Sequence, residues 1–218
     1  ELVKVAANSF LATKISFISA MSQACDATGA DVVELARALG FDERIGRLFL
    51  RAGIGFGGGC LPKDIRALRA RAEELDLREA FRFLAEVERI NDGQRARTVG
   101  MLEGLTGGLE GRKVTVLGAT FKPDTDDIRS SPALSIASAL VERGARVTIS
   151  DPAASAEAVA AAVEGAAFFA DVEAAVAGSG LDDVADVRVV RTPEATPFLA
   201  AVRQGLNRYA ALVAAGER

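Results

Sequence analysis

A glycine-rich segment that runs into a cysteine is the part of the sequence best suited to chemistry. Residues 53–64 read GIGFGGGCLPKD, with five glycines in the first seven positions. Glycine lets backbone N–H groups approach an anionic ligand closely. Pro62 favours the start of a helix, because its missing N–H costs nothing there. We therefore predict that Cys60 lies just before a helix N-terminus, where unpaired amides and the helix dipole favour a thiolate.

Asp64 places a carboxylate one helical turn after Cys60, on the same face of the predicted helix. A nucleophilic thiol, a nearby carboxylate and a cradle of amides for a phosphate together indicate covalent catalysis. The alternative is structural, because a lone cysteine is usually a small buried hydrophobe and glycine-rich loops often serve only as turns. The coincidence of so many compatible features favours the catalytic interpretation.

The same glycines match a dinucleotide-binding pattern, Gly53-x-Gly55-x-x-Gly58. That pattern binds a dinucleotide only within a strand–helix–strand unit. Residues 47–51 could form a short strand, but residues 65–104 are predicted to be helical with no strand after them. We therefore reject a Rossmann fold for this loop.

The chain contains no histidine. This excludes Ser–His and Cys–His nucleophile pairs within the chain, and histidine-based zinc sites as well. Cys25 and Cys60 are too far apart in the sequence for a thiolate zinc cluster, so no metal site is predicted. Acid–base chemistry must come from Lys, Asp, Glu, Tyr or bound water.

Composition narrows the class of protein. The 218 residues, half of them hydrophobic, suit one large or two small domains. A net charge of −4 without a long basic run argues weakly against nucleic acid as the main partner. No stretch approaches the ~20 uninterrupted apolar residues of a membrane span. We find no signal peptide, and two distant cysteines fit a reducing, cytoplasmic location. The N-terminus reads as helix interior, which we interpret as a fragment or processed chain.

The first half of the sequence predicts an all-helical domain over residues 1–106. Asp31 can cap its second helix, and Cys25 is interpreted as a core residue. Lys4 and Asn8 share one face of the first helix, and spacing alone favours a solvated polar face there. The predicted helices cover residues 1–28, 32–39, 62–75 and 77–105.

The second half alternates strands and helices. Glycines 107, 108 and 111 mark a boundary, and two apolar strands then flank a helix. A right-handed parallel crossover is expected for such a unit. We predict an α/β, doubly wound, Rossmann-like domain over residues 111–218. The strands are expected at 113–118, 145–150 and 166–169, and the helices at 132–143, 154–163 and 172–177.

A long loop, residues 119–129, follows the first of these strands. Ligands of doubly wound sheets bind beyond the carboxyl ends of the strands. Lys122 and Arg129 are therefore placed where phosphates or a pyrimidine ring could be met. A solvated loop would have a similar composition.

Four motifs occur in order along the chain: Glu1-Leu2-Val3-Lys4-x-x-x-Asn8, Arg44-Ile45-Gly46, the Cys60 loop with Pro62-Lys63-Asp64, and Phe121-Lys122-x-Asp124-Thr125-x-Asp127-x-Arg129. Together they resemble the UDP-glucose/GDP-mannose dehydrogenase family. The match covers about residues 1–175 and fits residues 178–218 poorly, since the chain lacks the tryptophan of the family's last strands.

The resemblance implies three domains: an N-terminal NAD-binding Rossmann domain, a central helical dimerisation domain and a C-terminal UDP-binding domain. This chain looks like the last two, without the NAD-binding domain and its catalytic glutamate and threonine.

The resemblance also implies a reaction, the NAD-dependent oxidation of UDP-glucose to UDP-glucuronate for polysaccharide biosynthesis. Cys60 would hold the C6 aldehyde as a thiohemiacetal and then as a thioester, which water hydrolyses. Lys4 and Asn8 would donate to the oxyanion at C6, and Asp64 would orient water or assist proton transfer.

Binding residues follow from the same resemblance. Arg44 would reach across a homodimer interface to the partner's substrate, and Arg129 would reach the NAD. The residues expected to contact the UDP-sugar in their own chain are Phe49, Arg51, Phe56, Gly57, Phe121 and Lys122.

Two alternatives stay open. Residues 60–64 alone also suit a GDP-mannose or UDP-N-acetylhexosamine dehydrogenase, whereas Arg44-Ile45-Gly46 favours UDP-glucose. The other alternative is a non-catalytic dimerisation and nucleotide-binding module. The chain alone is expected to bind UDP-sugars weakly and to catalyse nothing.

Overall fold

The computed structural model describes residues 1–172 and 174–175 and divides the chain into two compact units, Glu1–Arg97 and Thr98–Arg218. The division falls inside a helix, so the predicted domain limits of 1–106 and 111–218 stay a prediction. The helices that begin in the first unit are α1 Leu2–Thr28, α2 Val32–Gly40, α3 Leu61–Glu74, α4 Arg78–Phe81 and α5 Phe83–Thr106.

The ends of the first helices are set by local chemistry. Gly29 ends α1 in the left-handed region, with φ of 74°, and its N–H bonds to the carbonyl of Cys25. The Asp31 carboxylate accepts the N–H of Val33 at 2.7 Å and caps α2. The predicted cap of α2 is confirmed, and α3 begins within one residue of its predicted start.

The prediction of one helix over residues 77–105 is wrong, because α4 and α5 are separate helices. Arg82, which joins them, keeps helical angles, with φ of −59° and ψ of −28°. The hydrogen bonds around it, however, span three residues: Arg82 N–H to the Glu79 carbonyl, and Ala85 N–H to the Arg82 carbonyl. This tighter turn interrupts the α-helical pattern without a proline or glycine to signal it.

The core of the first unit joins three helices and the glycine-rich loop. Ile65 of α3 and Leu84 of α5 are fully buried, and Ser16 of α1 donates its hydroxyl to the Val87 carbonyl at 2.8 Å. Burying one such large aliphatic side chain contributes about 1.5–3 kcal/mol. Cys25 is also buried, as predicted. The central cluster comprises Ala12, Phe56, Ile65, Leu84 and Val87.

The opposite face of α1 is apolar and exposed. Exposure reaches 65% for Phe10 and 50% for Phe17, and Leu2 and Val3 are more exposed still. By length and composition α1 also qualifies as a candidate membrane span, a criterion that the core helix of a soluble protein meets as well. The prediction that the chain has no membrane partner therefore stays a prediction.

The second unit contains a three-stranded parallel sheet in the order β1-β2-β3. In the register, Val114 pairs with Val147 and Ile149 with Phe168. The last four residues of β1 and of β2 are all buried, which is typical of parallel strands covered on both faces. The elements are β1 Lys113–Leu117, α6 Pro132–Val141, β2 Arg146–Ser150, α7 Ala156–Ala162 and β3 Ala167–Phe169.

The predicted parallel strand–helix–strand unit is confirmed, and a small parallel sheet follows the helical region. The finer prediction of a doubly wound sheet stays a prediction. Val172, Ala174 and Ala175 are helical, at the start of the helix predicted over 172–177. The rest of that helix and residues 178–218 lie outside the described residues.

Candidate active site

Cys60 occupies the N-cap of α3, as its sequence context predicts. Its backbone has φ of −101° and ψ of −66°, and its carbonyl accepts the N–H of Asp64 at 2.9 Å in the first turn. The thiol is exposed, and it caps no backbone N–H in the described part of the chain. A solvent-accessible thiol at a helix N-terminus has the position that a nucleophile needs.

Asp64 lies one turn into α3 and is 3% exposed. The Asn8 side chain donates to its Oδ2 at 2.6 Å, and Lys4 Nζ lies 3.7 Å from the same oxygen. Lys63 Nζ lies 3.5 Å from Oδ1. Asn8 therefore faces α3, and the solvated-face interpretation drawn from its spacing is wrong for this residue. The Lys4 side chain is 63% exposed and so remains solvated, while its ammonium approaches Asp64. The structure brings Lys4, Asn8 and Asp64 together beside the N-terminus that carries Cys60.

The surroundings of Asp64 favour its charged form. The hydrogen bond from Asn8 is the main cause that lowers the pKa of Asp64, and the charges of Lys4 and Lys63 lower it further. Burial acts in the opposite direction and raises that pKa. The carboxylate is thus ionised at neutral pH, and it can orient polar hydrogens but is a weak proton acceptor there.

The glycine-rich loop is fixed from both sides at Phe56. Its side chain is 7% exposed and belongs to the core. Its backbone N–H donates to Asn91 Oδ1 at 2.7 Å, and its carbonyl accepts from Asn91 Nδ2 at 3.1 Å. The Phe56 side chain therefore supports the loop from within the core. The sugar contacts predicted for Phe56 and Gly57 stay predictions.

Asn91 is a residue that the sequence analysis missed. It is 4% exposed and follows Leu84 and Val87 at positions i+7 and i+4 on the buried face of α5. A polar residue on an otherwise apolar helical stripe is the signal that could have found it, because a buried amide needs partners.

The segment between α2 and the glycine-rich loop carries three predicted substrate ligands at its surface. Arg44 is exposed, and its guanidinium donates to the Asp42 carboxylate, with Nη2 2.6 Å from Oδ2. This hydrogen bond lowers the pKa of Asp42. Phe49 has a positive φ of 64°, uncommon for an aromatic residue. Arg51 is exposed too. Their predicted ligand contacts stay predictions.

In the second unit, Asp151 fixes the loop that follows β1. Its buried carboxylate accepts the N–H groups of Ala119 at 2.7 Å and Thr120 at 3.0 Å. The other oxygen accepts from Ala153 at 2.8 Å and Ala154 at 3.1 Å. One side chain thus ties the carboxyl end of β1 to that of β2.

Phe121, Lys122 and Arg129 lie in this loop. Lys122 Nζ is 5.5 Å from the centre of the Phe121 ring, within cation–π range. The Arg129 guanidinium donates to Asp127 at 2.7 Å and lowers the pKa of that carboxyl to about 2. The Phe121 N–H bonds to the Asp127 carbonyl at 3.0 Å and closes the loop. The three side chains therefore stand on a braced segment of chain.

Comparison with protein families identifies both units. Residues 1–93 match the central domain of the UDP-glucose/GDP-mannose dehydrogenase family, and residues 115–192 match its UDP binding domain. The chain belongs to this family. The family resemblance drawn from the motifs is confirmed.

Individual relatives agree with this assignment. The chain is 46% identical over 176 residues to the UDP-glucose 6-dehydrogenase TuaD of Bacillus subtilis, covering 81% of this chain and 38% of the relative. It is 45% identical over 153 residues to the UDP-glucose 6-dehydrogenase of Gallus gallus, covering 70% and 31%. The chain thus spans well under half the length of these curated relatives.

Solved structures show the same relationship. A UDP-glucose dehydrogenase from Pyrobaculum islandicum superposes with a TM-score of 0.77 at 40% identity, covering 87% of this chain and 42% of that one. The UDP-N-acetyl-mannosamine dehydrogenase Cap5O of Staphylococcus aureus gives a TM-score of 0.64 at 26% identity, covering 81% and 38%.

The Asn8–Asp64 hydrogen bond generates a pH-dependent prediction. Because the folded pKa of Asp64 is lowered, its stabilisation is present above the unfolded value of about 3.9 and is lost as pH falls through the folded value. We expect Asn8→Ala to raise the pKa of Asp64 in an NMR titration. It should also lower the free energy of unfolding by about 1.5–3 kcal/mol at neutral pH, with the difference shrinking in acid.

Lys63→Ala is the matched control, because Lys63 acts on the same carboxylate and ranks after Asn8 among the causes that lower its pKa. It should raise that pKa less than Asn8→Ala does. An Asp64 pKa that does not respond to Asn8→Ala would contradict this account of the site.

Proposed function

We propose that this chain is the thiol-bearing and UDP-binding part of an NAD-dependent UDP-glucose 6-dehydrogenase. One observation carries the proposal: an exposed Cys60 at the N-terminus of α3, followed after one turn by a carboxylate that binds Asn8 and Lys4. The UDP-glucose 6-dehydrogenases among its relatives support the choice of substrate.

Cys60 acts as the nucleophile towards the C6 aldehyde. Its Sγ forms a bond to the carbonyl carbon, and the carbonyl oxygen becomes an oxyanion or takes up a proton. This adduct keeps the aldehyde from escaping before its second oxidation. The thiol stands at the N-terminus of α3, which is the end of a helix that attracts anions.

Lys4 and Asn8 are the donors for the oxygen at C6. Both project from α1, a rigid 27-residue helix, so their position needs no reorganisation during the reaction. Asp64 accepts a hydrogen bond from Asn8 and attracts Lys4, and it thereby orients both donors. Because the pKa of Asp64 is lowered, we assign it the orientation of donors and of the hydrolytic water, ahead of proton abstraction.

The second unit supplies recognition of the nucleotide. Lys122 and Phe121 lie in the loop that follows the carboxyl end of β1, the edge where ligands of parallel sheets bind. The Asp151 carboxylate fixes the start of this loop, so Lys122 is presented on braced backbone. A lysine is suited to a phosphate as a point charge.

Arg129 fits a contact with NAD, which supplies the hydride acceptor when bound. Its guanidinium is exposed, and its Nε and Nη2 donate to the Asp127 carboxylate. The Arg129 charge is therefore oriented before a ligand binds. The glycine-rich loop of residues 53–59 does not fit the dinucleotide pattern, since no strand comes before it in residues 1–52 and the helix that it opens is followed by two more helices. The bulk of the NAD site would therefore belong to an N-terminal domain of the complete protein.

A second candidate is a dehydrogenase of another nucleotide sugar. The UDP-N-acetyl-mannosamine dehydrogenase from Staphylococcus aureus shares the fold at 26% identity, against 40% for the archaeal UDP-glucose enzyme. The comparison favours UDP-glucose over UDP-N-acetylhexosamines and GDP-mannose. Turnover of a panel of nucleotide sugars by the complete protein separates these substrates. A non-catalytic module would lack a Gly-x-Gly-x-x-Gly strand–helix in the upstream coding sequence.

Of the predictions that follow from the proposed function, the first concerns Cys60 in the complete protein. Cys60→Ala should abolish uronate formation, because the aldehyde then has no covalent partner. Cys60→Ser should accumulate a slowly hydrolysed ester that mass spectrometry detects on the peptide containing residue 60. Cys25→Ala is the control, since that thiol is buried in the core, and its turnover should persist. Normal turnover in Cys60→Ala would rule out the covalent mechanism.

The second prediction concerns assembly. The exposed apolar face of α1 is suited to a second copy of the chain, and obligate interfaces bury about 2,000 Å² or more. We expect a homodimer in sedimentation at micromolar concentration, through which Arg44 reaches the partner's substrate. Phe10→Glu combined with Phe17→Glu should give monomers.

Leu75→Glu introduces the same kind of charge at another exposed apolar position and should leave the dimer intact. A native chain that sediments as a monomer would refute the interface and would remove Arg44 from the partner's site.

The third prediction concerns the chain by itself. It should bind UDP and UDP-glucose in calorimetry at millimolar concentration, because recognition by lysine and backbone amides is local. Lys122→Ala should weaken this binding. The chain should reduce no NAD, since positioning of the two reactants supplies roughly 7–11 kcal/mol of such a barrier. A folded chain that binds neither ligand would show that the UDP site is assigned wrongly.

A further inference from the structure

Both the oxygen and the nitrogen of the Asn91 carboxamide form hydrogen bonds to the backbone of one residue, Phe56. Its Oδ1 accepts the Phe56 N–H at 2.7 Å, and its Nδ2 donates to the Phe56 carbonyl at 3.1 Å. This is the pattern that a neighbouring β-strand would offer to an extended residue. Asn91 is 4% exposed, so the pairing is shielded from water.

The loop has to come unusually close to α5 to make this contact. Gly55 has φ of +100°, and a Cβ there would lie 2.8 Å from Asn91 Oδ1 and 2.9 Å from the Asn91 carbonyl oxygen. No side chain fits such a gap without displacing α5 or the loop. Gly55 and Asn91 therefore require one another.

Arg95 adds a second donor to the same carbonyl. Its Nη2 lies 3.4 Å from the Phe56 oxygen, and its Nη1 lies 3.3 Å from Asp92. The Phe56 carbonyl thus accepts from two side chains of α5, one turn apart. The backbone of Phe56 is fixed as firmly as its side chain, which packs in the core beside Leu84.

The contact bears on Cys60 because only glycines separate the two. Gly57, Gly58 and Gly59 follow Phe56, and each has wide backbone freedom. The backbone path of such a segment is determined by the residues that fix its two ends. One end is Phe56, held by Asn91, and the other is Cys60 at the start of α3.

We propose that Asn91 is a positioning residue for Cys60: its carboxamide fixes the glycine-rich loop, and the loop sets where the thiol and the adjacent amides stand. The inference rests on the proposed role of Cys60 as the nucleophile. An apolar residue at position 91 would match the buried stripe of α5, but it would leave the N–H of Phe56 without this acceptor. The amide is therefore explained by what it does for the loop.

The test compares Asn91→Ala and Gly55→Ala in the complete protein by hydrogen–deuterium exchange and by steady-state kinetics. Peptides covering residues 53–60 should exchange at least about 5-fold faster in both variants, as expected when a hydrogen bond is lost. Turnover should fall about 100-fold in kcat, because a small misplacement of a reacting group has an effect of that size, with KM for UDP-glucose little changed.

Ser16→Ala is the matched control. It removes another buried side-chain hydrogen bond to backbone in the same unit, to the Val87 carbonyl, and this bond involves no residue of the glycine-rich loop. It should lower thermal stability while loop exchange and kcat stay at the native level. A purely structural Asn91 would behave as Ser16 does.

Unchanged exchange of residues 53–60 in Asn91→Ala overturns the contact, and faster exchange with native kcat overturns its role in positioning. If Asn91→Ala does not fold, Asn91→Asp replaces it, because it keeps an acceptor for the Phe56 N–H and loses the donor. Intermediate exchange and kcat are then expected, and native values contradict the proposal. Turnover that survives Cys60→Ala refutes the proposed function instead, whatever the exchange data show.

Discussion

The hydrogen bond between Asn8 and Asp64 is the interaction on which the candidate site depends. It joins the second turn of α1 to the first turn of α3, across 56 residues of sequence. Without it, the buried carboxylate of Asp64 would face two lysines at 3.5 and 3.7 Å but would lack its shortest contact. A buried charge is tolerated when it is hydrogen-bonded and paired, and this one is both. The same contact fixes which residues of α1 stand beside the thiol.

In the first unit, apolar core contacts and polar side-chain hydrogen bonds therefore act together around the start of α3. Core residues such as Ile65 and Leu84 bring α3 and α5 together, and Asn91 ties the loop before Cys60 to α5. The apolar contacts set the distance between the helices, while the hydrogen bonds of the Asn91 amide set the direction of the loop. Both kinds of contact are needed to fix the loop before Cys60, because burial alone leaves a glycine loop free to take many paths.

Local sequence patterns were enough to predict much of the fold. The cap at Asp31, the end of α1 at Gly29 and the β-branched run before Gly118 are read from neighbouring residues only. Features that depend on distant residues were not predictable in this way. The break at Arg82 has no local signal, and the direction of Asn8 is set by α3, which spacing on α1 cannot reveal.

The residues of the candidate site also differ in whether neighbouring or distant parts of the sequence determine their position. Cys60 and Asp64 are evident from sequence because the proline, the glycines and a one-turn spacing are contiguous. The sugar contact predicted for Phe56 stays a prediction, and the structure adds that its side chain belongs to the core, which depends on residues distant in sequence. Asn91 could not be predicted from neighbouring residues, because the residue that it bonds to, Phe56, lies 35 positions away in the sequence.

Asp151 has a different role from the acidic residue found at a similar position in dinucleotide-binding sheets. In those sheets an acidic residue at the end of the second strand reaches a ribose hydroxyl. Asp151 stands directly after β2, but four backbone N–H groups already occupy its two oxygens. The Thr120 hydroxyl adds a fifth donor at 3.3 Å, so this acid serves as a brace for the backbone. The side chains of Phe121 and Lys122 stand on the loop that it braces, and they can change without disturbing the sheet beneath them.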